Sequence, residues 1–289
     1  MSKTSYAVIS IGIFAAFAIL GNFRREPLKP AYVFKERKNI EEVHLLDDWR
    51  ELAFLRLDCS NPYQCQIFDK IKKDLPESLV YLHEGFKLAR SKKIDFIVIY
   101  HQTQQQEALG GIGFGNENPL QAEEMSQNMV VELLDYLDPD VVGLESCYEK
   151  CSAESEIEDA QRAHREFGIP IPARNQMLLL ADKAWHIRLT RKYVKKPIVG
   201  ADEFYIQLLD QILASKPLEV NPNWLSRLYS LRSEWAIARM GHLLNGSDKS
   251  GVVVMGYSHG KDFKNLAQAL SLQSRIYIAV PEGIPLPKF

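Results

Sequence analysis

The sequence has no excess of charge of either sign. Lys and Arg number 35 against 37 Asp and Glu, a formal net charge of −2. A nucleic-acid surface needs clustered basic residues, and no Lys/Arg stripe stands out, so DNA and RNA are excluded as expected partners. There are only 4 cysteines in 289 residues, too few for a scaffold held mainly by disulfides. No repeats or low-complexity tracts occur, which sets aside solenoids and disordered tails. Neither cysteine pair has the two-residue spacing common in structural zinc sites: Cys59 and Cys65 are six apart, Cys147 and Cys151 four apart. Each pair can be a local disulfide outside the cytoplasm or two reduced thiols inside it.

Long apolar runs are absent with one exception. Residues 6–23 (YAVISIGIFAAFAILGNF) carry no charge. Eighteen helical residues span about 27 Å, enough for a bilayer core. Only Lys3 precedes the run and no clean small-x-small cleavage site follows it. A single-pass membrane anchor over residues 1–23 is therefore favoured over a cleaved signal peptide. Arg24, Arg25 and Lys29 follow it and by the positive-inside rule would keep the downstream domain cytoplasmic, whereas disulfides would place it outside. The side of the membrane stays open. Residues 24–50 are polar and read as a linker, and 51–289 as one domain.

From residue 94, short apolar runs alternate with helical patterns. The runs are Ile94–Tyr100, Val141–Leu144, Pro197–Ala201, Gly251–Met255 and Arg275–Val280. Mostly β-branched and nearly continuous, they read as buried strands. Amphipathic helices are expected over about 120–137, 204–214 and 224–244, with another after Gly260. The expected fold is α/β, a mostly parallel sheet flanked by helices and preceded by the N-terminal hydrophobic helix.

In such a sheet, ligands bind beyond the carboxyl ends of the strands. Four successive strands there end on His101, Glu145, Asp202 and Gly256-Tyr257-Ser258-His259. Singly, each has an ordinary explanation: Asp202, for example, can cap the helix beginning near Phe204. Together they predict a site. Two imidazoles and a carboxylate (His101, Glu145, His259) suit a divalent metal that acidifies water; without metal, a carboxylate and a His activate water as general base. Residues 256–260 also fit the G-x-S-x-G elbow of serine hydrolases, but no acid-then-His order can be assembled after Ser258. His186 reads as a packing residue, and His242 as a partner for a helix C-terminal dipole. His44, His83 and His164 have no partner pattern. The glycine-rich loop after His101 lacks a P-loop's Gly-Lys-Ser/Thr and reads as a lid or a plain connector.

Several stretches resemble the TraB/Tiki (GumN-like) superfamily, related to erythromycin esterase and ChaN-like proteins. Residues 138–145 (DPDVVGLE) look like its P-D-V-V-x-x-E strand and 196–202 (KPIVGAD) its G-x-D strand. Residues 232–238 (RSEWAIA) look like its Arg-rich helix, and 252–259 (VVVMGYSH) its strand ending in GxxH. The family's first GxxH departs here to Val98-Ile99-Tyr100-His101, with no glycine. The resemblance implies a hydrolase-like site acting on a peptide or ester. His101, Glu145 and His259 would be carried over as functional residues or metal ligands (zinc, manganese or cobalt), and Arg232 as an oxyanion or carboxylate partner. Tiki-like members imply metal dependence, erythromycin esterase-like members a metal-free route. A non-catalytic binding or signalling protein on the same fold is the alternative.

Overall fold

The computed structural model describes residues 32–33, 45–57, 61–101, 119–214 and 222–281. The apolar segment 6–23 and the loop 102–118 lie outside them. Among the described residues no helix is long and apolar enough to cross a membrane.

The strands are β1 (Tyr32–Val33), β2 (Ile94–Ile99), β3 (Val141–Leu144), β4 (Ile198–Gly200), β5 (Gly251–Gly256) and β6 (Arg275–Ala279). They form one sheet in the order β1-β6-β2-β5-β3-β4. Strands β2 to β6 run parallel and β1 pairs antiparallel to β6 at the edge. The helices are α1 (Asp47–Glu51), α2 (Pro62–Ala89), α3 (Pro119–Leu137), α4 (Ala153–Phe167), α5 (Arg174–Lys183), α6 (Trp185–Lys192), α7 (Phe204–Ala214), α8 (Pro222–Leu243) and α9 (Gly260–Ala269). The stretch read as a linker thus supplies an edge strand and most of α1, whose Trp49 is buried.

Alternating side chains split the core into two layers, as the period-2 geometry of strands requires. Phe96, Val98, Val253, Met255 and Ile276 pack with residues of α1, α2, α7, α8 and α9. Ile97, Ile99, Val252, Val254, Tyr277 and Ala279 pack on the other face with α3 and α6. Every residue of β2 and β5 is buried. Covering on both faces is why these strands read as nearly continuous apolar runs, broken only by Asp95, which pairs with Arg275.

Local sequence explains where the longer helices begin and end. Helix α2 starts behind Asn61, whose side chain accepts from Tyr63 N at 2.9 Å, with Pro62 in the first turn. Helix α4 starts behind Ser152, which accepts from Ser155 N, and stops at Gly168 with φ +72°. Helices α2 and α8 touch backbone to backbone: a Cβ on Gly241 would lie 2.2 Å from Gly85 O. Met240, next to Gly241, packs against Gly251 at the start of β5, while Arg232 lies further back along the same helix.

Candidate functional site

The parallel register brings the strand ends together. Ile99 lies opposite Gly256, and Leu144 opposite both Val254 and Gly200. Residues just past these positions share one end of the sheet: His101, Glu145, Asp202 and, after a 3-10 turn at Tyr257–His259, His259 itself. Helix α8 delivers Arg232 to the same place. The pairing that gathers these groups is between strands far apart in sequence.

Glu145 is the hub. Its carboxylate is 5% exposed, and each oxygen faces an imidazole: Oε2 lies 3.5 Å from His101 Nε2, and Oε1 lies 3.3 Å from His259 Nε2. Oε1 also accepts from an Arg232 terminal N–H at 2.7 Å, and Oε2 from Gly256 N–H. Gly256 is required by this closeness, because a Cβ there would stand 2.5 Å from His101 Nε2 and 3.2 Å from Glu145 Oε2. Burial pushes the Glu145 carboxyl up. The Arg232 guanidinium and the two imidazoles outweigh it and hold the group well below the usual carboxylate range.

Arg232 is buried and bonded to three carboxylates. Nε donates to Asp202 Oδ1 at 2.9 Å, one terminal nitrogen to Asp202 Oδ2 at 2.8 Å and Glu145 Oε1, and the other to Asp210 Oδ2 at 2.9 Å. Burial alone would lower its pKa; Asp202 and Glu145 instead raise it well above the usual value. The fork of a guanidinium suits this arrangement and an ammonium does not. With these donors committed, Arg232 stands as a carboxylate partner rather than a free oxyanion donor.

Asp202 accepts from Ser146 N at 2.7 Å as well as from Arg232. The helix-capping task that sequence offered to Asp202 falls to its neighbour: Glu203 Oε2 accepts from Ile206 N at 2.8 Å in the first turn of α7. Asp202 N donates to Cys147 O at 3.1 Å, and Cys147 is disulfide-bonded to Cys151. The loop after β3 therefore braces the acidic side of the site. Cys65 is also disulfide-bonded, and Cys59 lies outside the described residues.

The two histidines have different surroundings. The His101 side chain is 15% exposed, stacks on Trp185 at 4.7 Å between ring centroids, and leaves Nδ1 without a partner among the described residues. His259 is fully buried, with Nδ1 2.8 Å from Ser233 Oγ. Ser258, centre of the G-x-S-x-G stretch, is exposed on the 3-10 turn. The histidine beside it is directed at Ser233, and no serine triad forms around Ser258 among the described residues.

Two members of the site escaped sequence reading. Asp210 lies in α7 within FYIQLLDQILA, where a buried acid among apolar neighbours was the available signal. One Asp210 oxygen has no hydrogen bond among the described residues, and burial, outweighing Arg232, raises its pKa. Ser233, mid-helix, carried no signal. His186 pairs with Glu156 Oε1 at 2.9 Å, and His242 Nε2 meets Tyr81 O at 2.8 Å, both away from the Glu145 hub.

The donor set fits a metal incompletely. The two imidazoles approach different oxygens of a carboxylate already held by Arg232 and Gly256, and among the described residues no group of three His, Cys, Asp or Glu converges on one point. What the cluster can do as it stands is hold a carboxylate ionised between two bases and stabilise a proton arriving on either. Compared with protein-family models, curated proteins and solved structures, the chain has no match.

Proposed function

We propose that the chain is a membrane-anchored hydrolase of TraB/Tiki type that cleaves an ester or peptide bond by activating water at His101. The observation that carries this reading is Glu145, one buried carboxylate facing two imidazoles and clamped by Arg232. With His101 Nε2 turned to Glu145, its free nitrogen is Nδ1. That nitrogen takes the proton of an attacking water as the water oxygen bonds to the substrate carbonyl carbon, and Glu145 stabilises the resulting imidazolium. When the carbon–oxygen or carbon–nitrogen bond to the leaving group breaks, the same proton passes to that group. Asp202 and Arg232 fix Glu145 rather than touch substrate.

A second reading, metal-assisted hydrolysis, is favoured by one observation: His259 Nε2 is buried without a hydrogen bond beside a carboxylate oxygen. His101, Glu145 and His259 would hold the divalent ion, which would acidify a bound water. The disulfides support placing the domain on the non-cytoplasmic side of the membrane.

The test is hydrolysis of a panel of p-nitrophenyl esters and fluorogenic peptides by the full chain, with and without chelator. Turnover that survives chelation and falls 10²-fold or more in His101→Ala supports the metal-free route. Turnover abolished by chelator and restored by zinc, manganese or cobalt moves the account to the second reading. No turnover on any substrate, under either condition, contradicts both and leaves a binding role.

A further inference from the structure

Helix α5 has a buried side and an apolar exposed side. Met177 and Ala181, four residues apart, are its buried residues. Ala181 shares a small buried cluster with Ala153, the first residue of α4, and Ile187 of α6. Two residues before Ile187, Trp185 stacks on His101. These contacts hold the last turn of α5 at the carboxyl end of the sheet, beside the site. Gln176, Leu179, Leu180 and Lys183 follow one another at helical spacing along another side, and all four are exposed. Leu179 is 62% exposed and Leu180 50%, so neither leucine is committed to the core. Adjacent leucines with a lysine one turn on suit the boundary of lipid headgroups and acyl chains, where the leucines enter and the lysine reaches phosphate.

The route of the chain says what covers this face. Strand β1 is antiparallel to β6, with Val33 opposite Arg275 and Tyr32 opposite Ile276. The chain therefore enters β1 from the carboxyl-end side of the sheet, the side on which His101, Glu145 and His259 lie. Tyr32 follows Phe23, the end of the apolar run, by nine residues. That length of chain reaches no further than about 30 Å. Helix α2 alone, with 28 residues, spans about 42 Å. A tether shorter than the domain holds the domain against the bilayer.

We propose that the Leu179–Leu180 face of α5 docks on the surface of the bilayer that holds the anchor, turning the carboxyl end of the sheet towards the membrane. This rests on the proposed anchor and deepens the proposed hydrolase site. His101 then opens towards the lipid surface, and the bond to be cleaved reaches it from a substrate seated at that surface. Lys183 adds attraction to anionic headgroups.

The experiment is lipid quenching on the full chain in vesicles of phosphatidylcholine and phosphatidylglycerol, with a spin-labelled phosphatidylcholine as quencher. A bimane fluorophore is attached at Gln176→Cys on α5, which leaves both leucines in place. In a second chain it is attached at Asp248→Cys, an exposed position just before β5 at the amino end of the sheet. Labelling is done without reductant, because Cys65, Cys147 and Cys151 are disulfide-bonded; the unsubstituted chain gives the background. The expected result is loss of fluorescence at position 176 and none at position 248. Leu179→Glu with Leu180→Glu, added to the Gln176→Cys chain, restores the fluorescence. A label at position 176 that stays bright in a chain floating with the vesicles overturns the docking, whether residues 102–118 or a second copy cover the leucines instead. Equal quenching at both positions overturns it too, as does quenching that survives the two Glu substitutions. A chain that does not float with the vesicles overturns the docking together with the anchor. Flotation thus reads the anchor separately, and hydrolytic activity enters none of these results.

Discussion

Arg232 and Asp202 meet as a two-pronged pair, Nε to Oδ1 at 2.9 Å and a terminal nitrogen to Oδ2 at 2.8 Å, with Asp202 fully buried at its side chain. The same guanidinium spans to Glu145 and Asp210, so one cation holds three carboxylates out of water. Removing it leaves those buried carboxylates without the cation they share. Arg232→Met is expected to lower stability by about 3–5 kcal/mol, and Arg232→Lys to recover only part of the loss, since one ammonium cannot reproduce the fork. Denaturant unfolding of both variants checks this; wild-type stability in Arg232→Met contradicts it.

Gly256 permits the approach of His101 to Glu145. Gly256→Ala places a Cβ against the imidazole and the carboxylate, and the ring is the part able to shift. The expected outcome is a loss of turnover of 10-fold or more with thermal stability changed by only a few degrees, measured side by side on one preparation. Unchanged turnover would mean that the ring position does not matter.

Much of the fold could be read from the residues, and the reason is physical. Strands buried on both faces are nearly continuous in apolar residues, so VVGL and GVVVM announced themselves. Their order in the sheet did not, because β2 pairs with β5 and β6, more than 150 residues later. Site residues at strand ends were legible for the same reason the strands were. Asp202 and Glu203 were not separable, since adjacent acids before a helix both suit a cap and only tertiary contact with Arg232 assigns them. Asp210 and Ser233 act through partners supplied by other elements, which no local pattern encodes. Arg232 could be a surface residue by sequence; burial decides otherwise.

Glu203 gives a pH dependence of stability. Burial raises its carboxyl to about 7 despite hydrogen bonds from Ile206 and Tyr205 N–H groups. The folded state therefore holds this proton more tightly than the unfolded state, whose value is near 4.5. The stability linked to it is fully present below the unfolded value and is lost as pH rises through about 7. Glu203→Gln, which keeps an acceptor for Ile206 N, is expected to stabilise the protein more at pH 8 than at pH 5 relative to wild type. Equal differences at the two pH values would refute the assignment. Asp159, raised to about 7 chiefly by burial, adds a slope of the same sign that both proteins share.

The Cys147–Cys151 bridge closes a short loop that accepts from Asp202 N. For a sequence separation of 4, chain-entropy reasoning gives about 2 kcal/mol. Cys151→Ser is expected to lower stability by about that amount, and to lower turnover too, because the bracing of Asp202 loosens. Urea unfolding with and without reductant measures the first effect; insensitivity to both changes would show the loop to be self-supporting.

The central claim is that Glu145, held ionised between His101 and His259, powers hydrolysis. The most direct measurement is turnover of the responsive ester or peptide by Glu145→Gln, a near-isosteric change that removes the charge, against wild type, with folding verified on the same samples. The account predicts a fall of 10²-fold or more in kcat in a chain that remains folded. Turnover equal to wild type in a folded Glu145→Gln chain would contradict it.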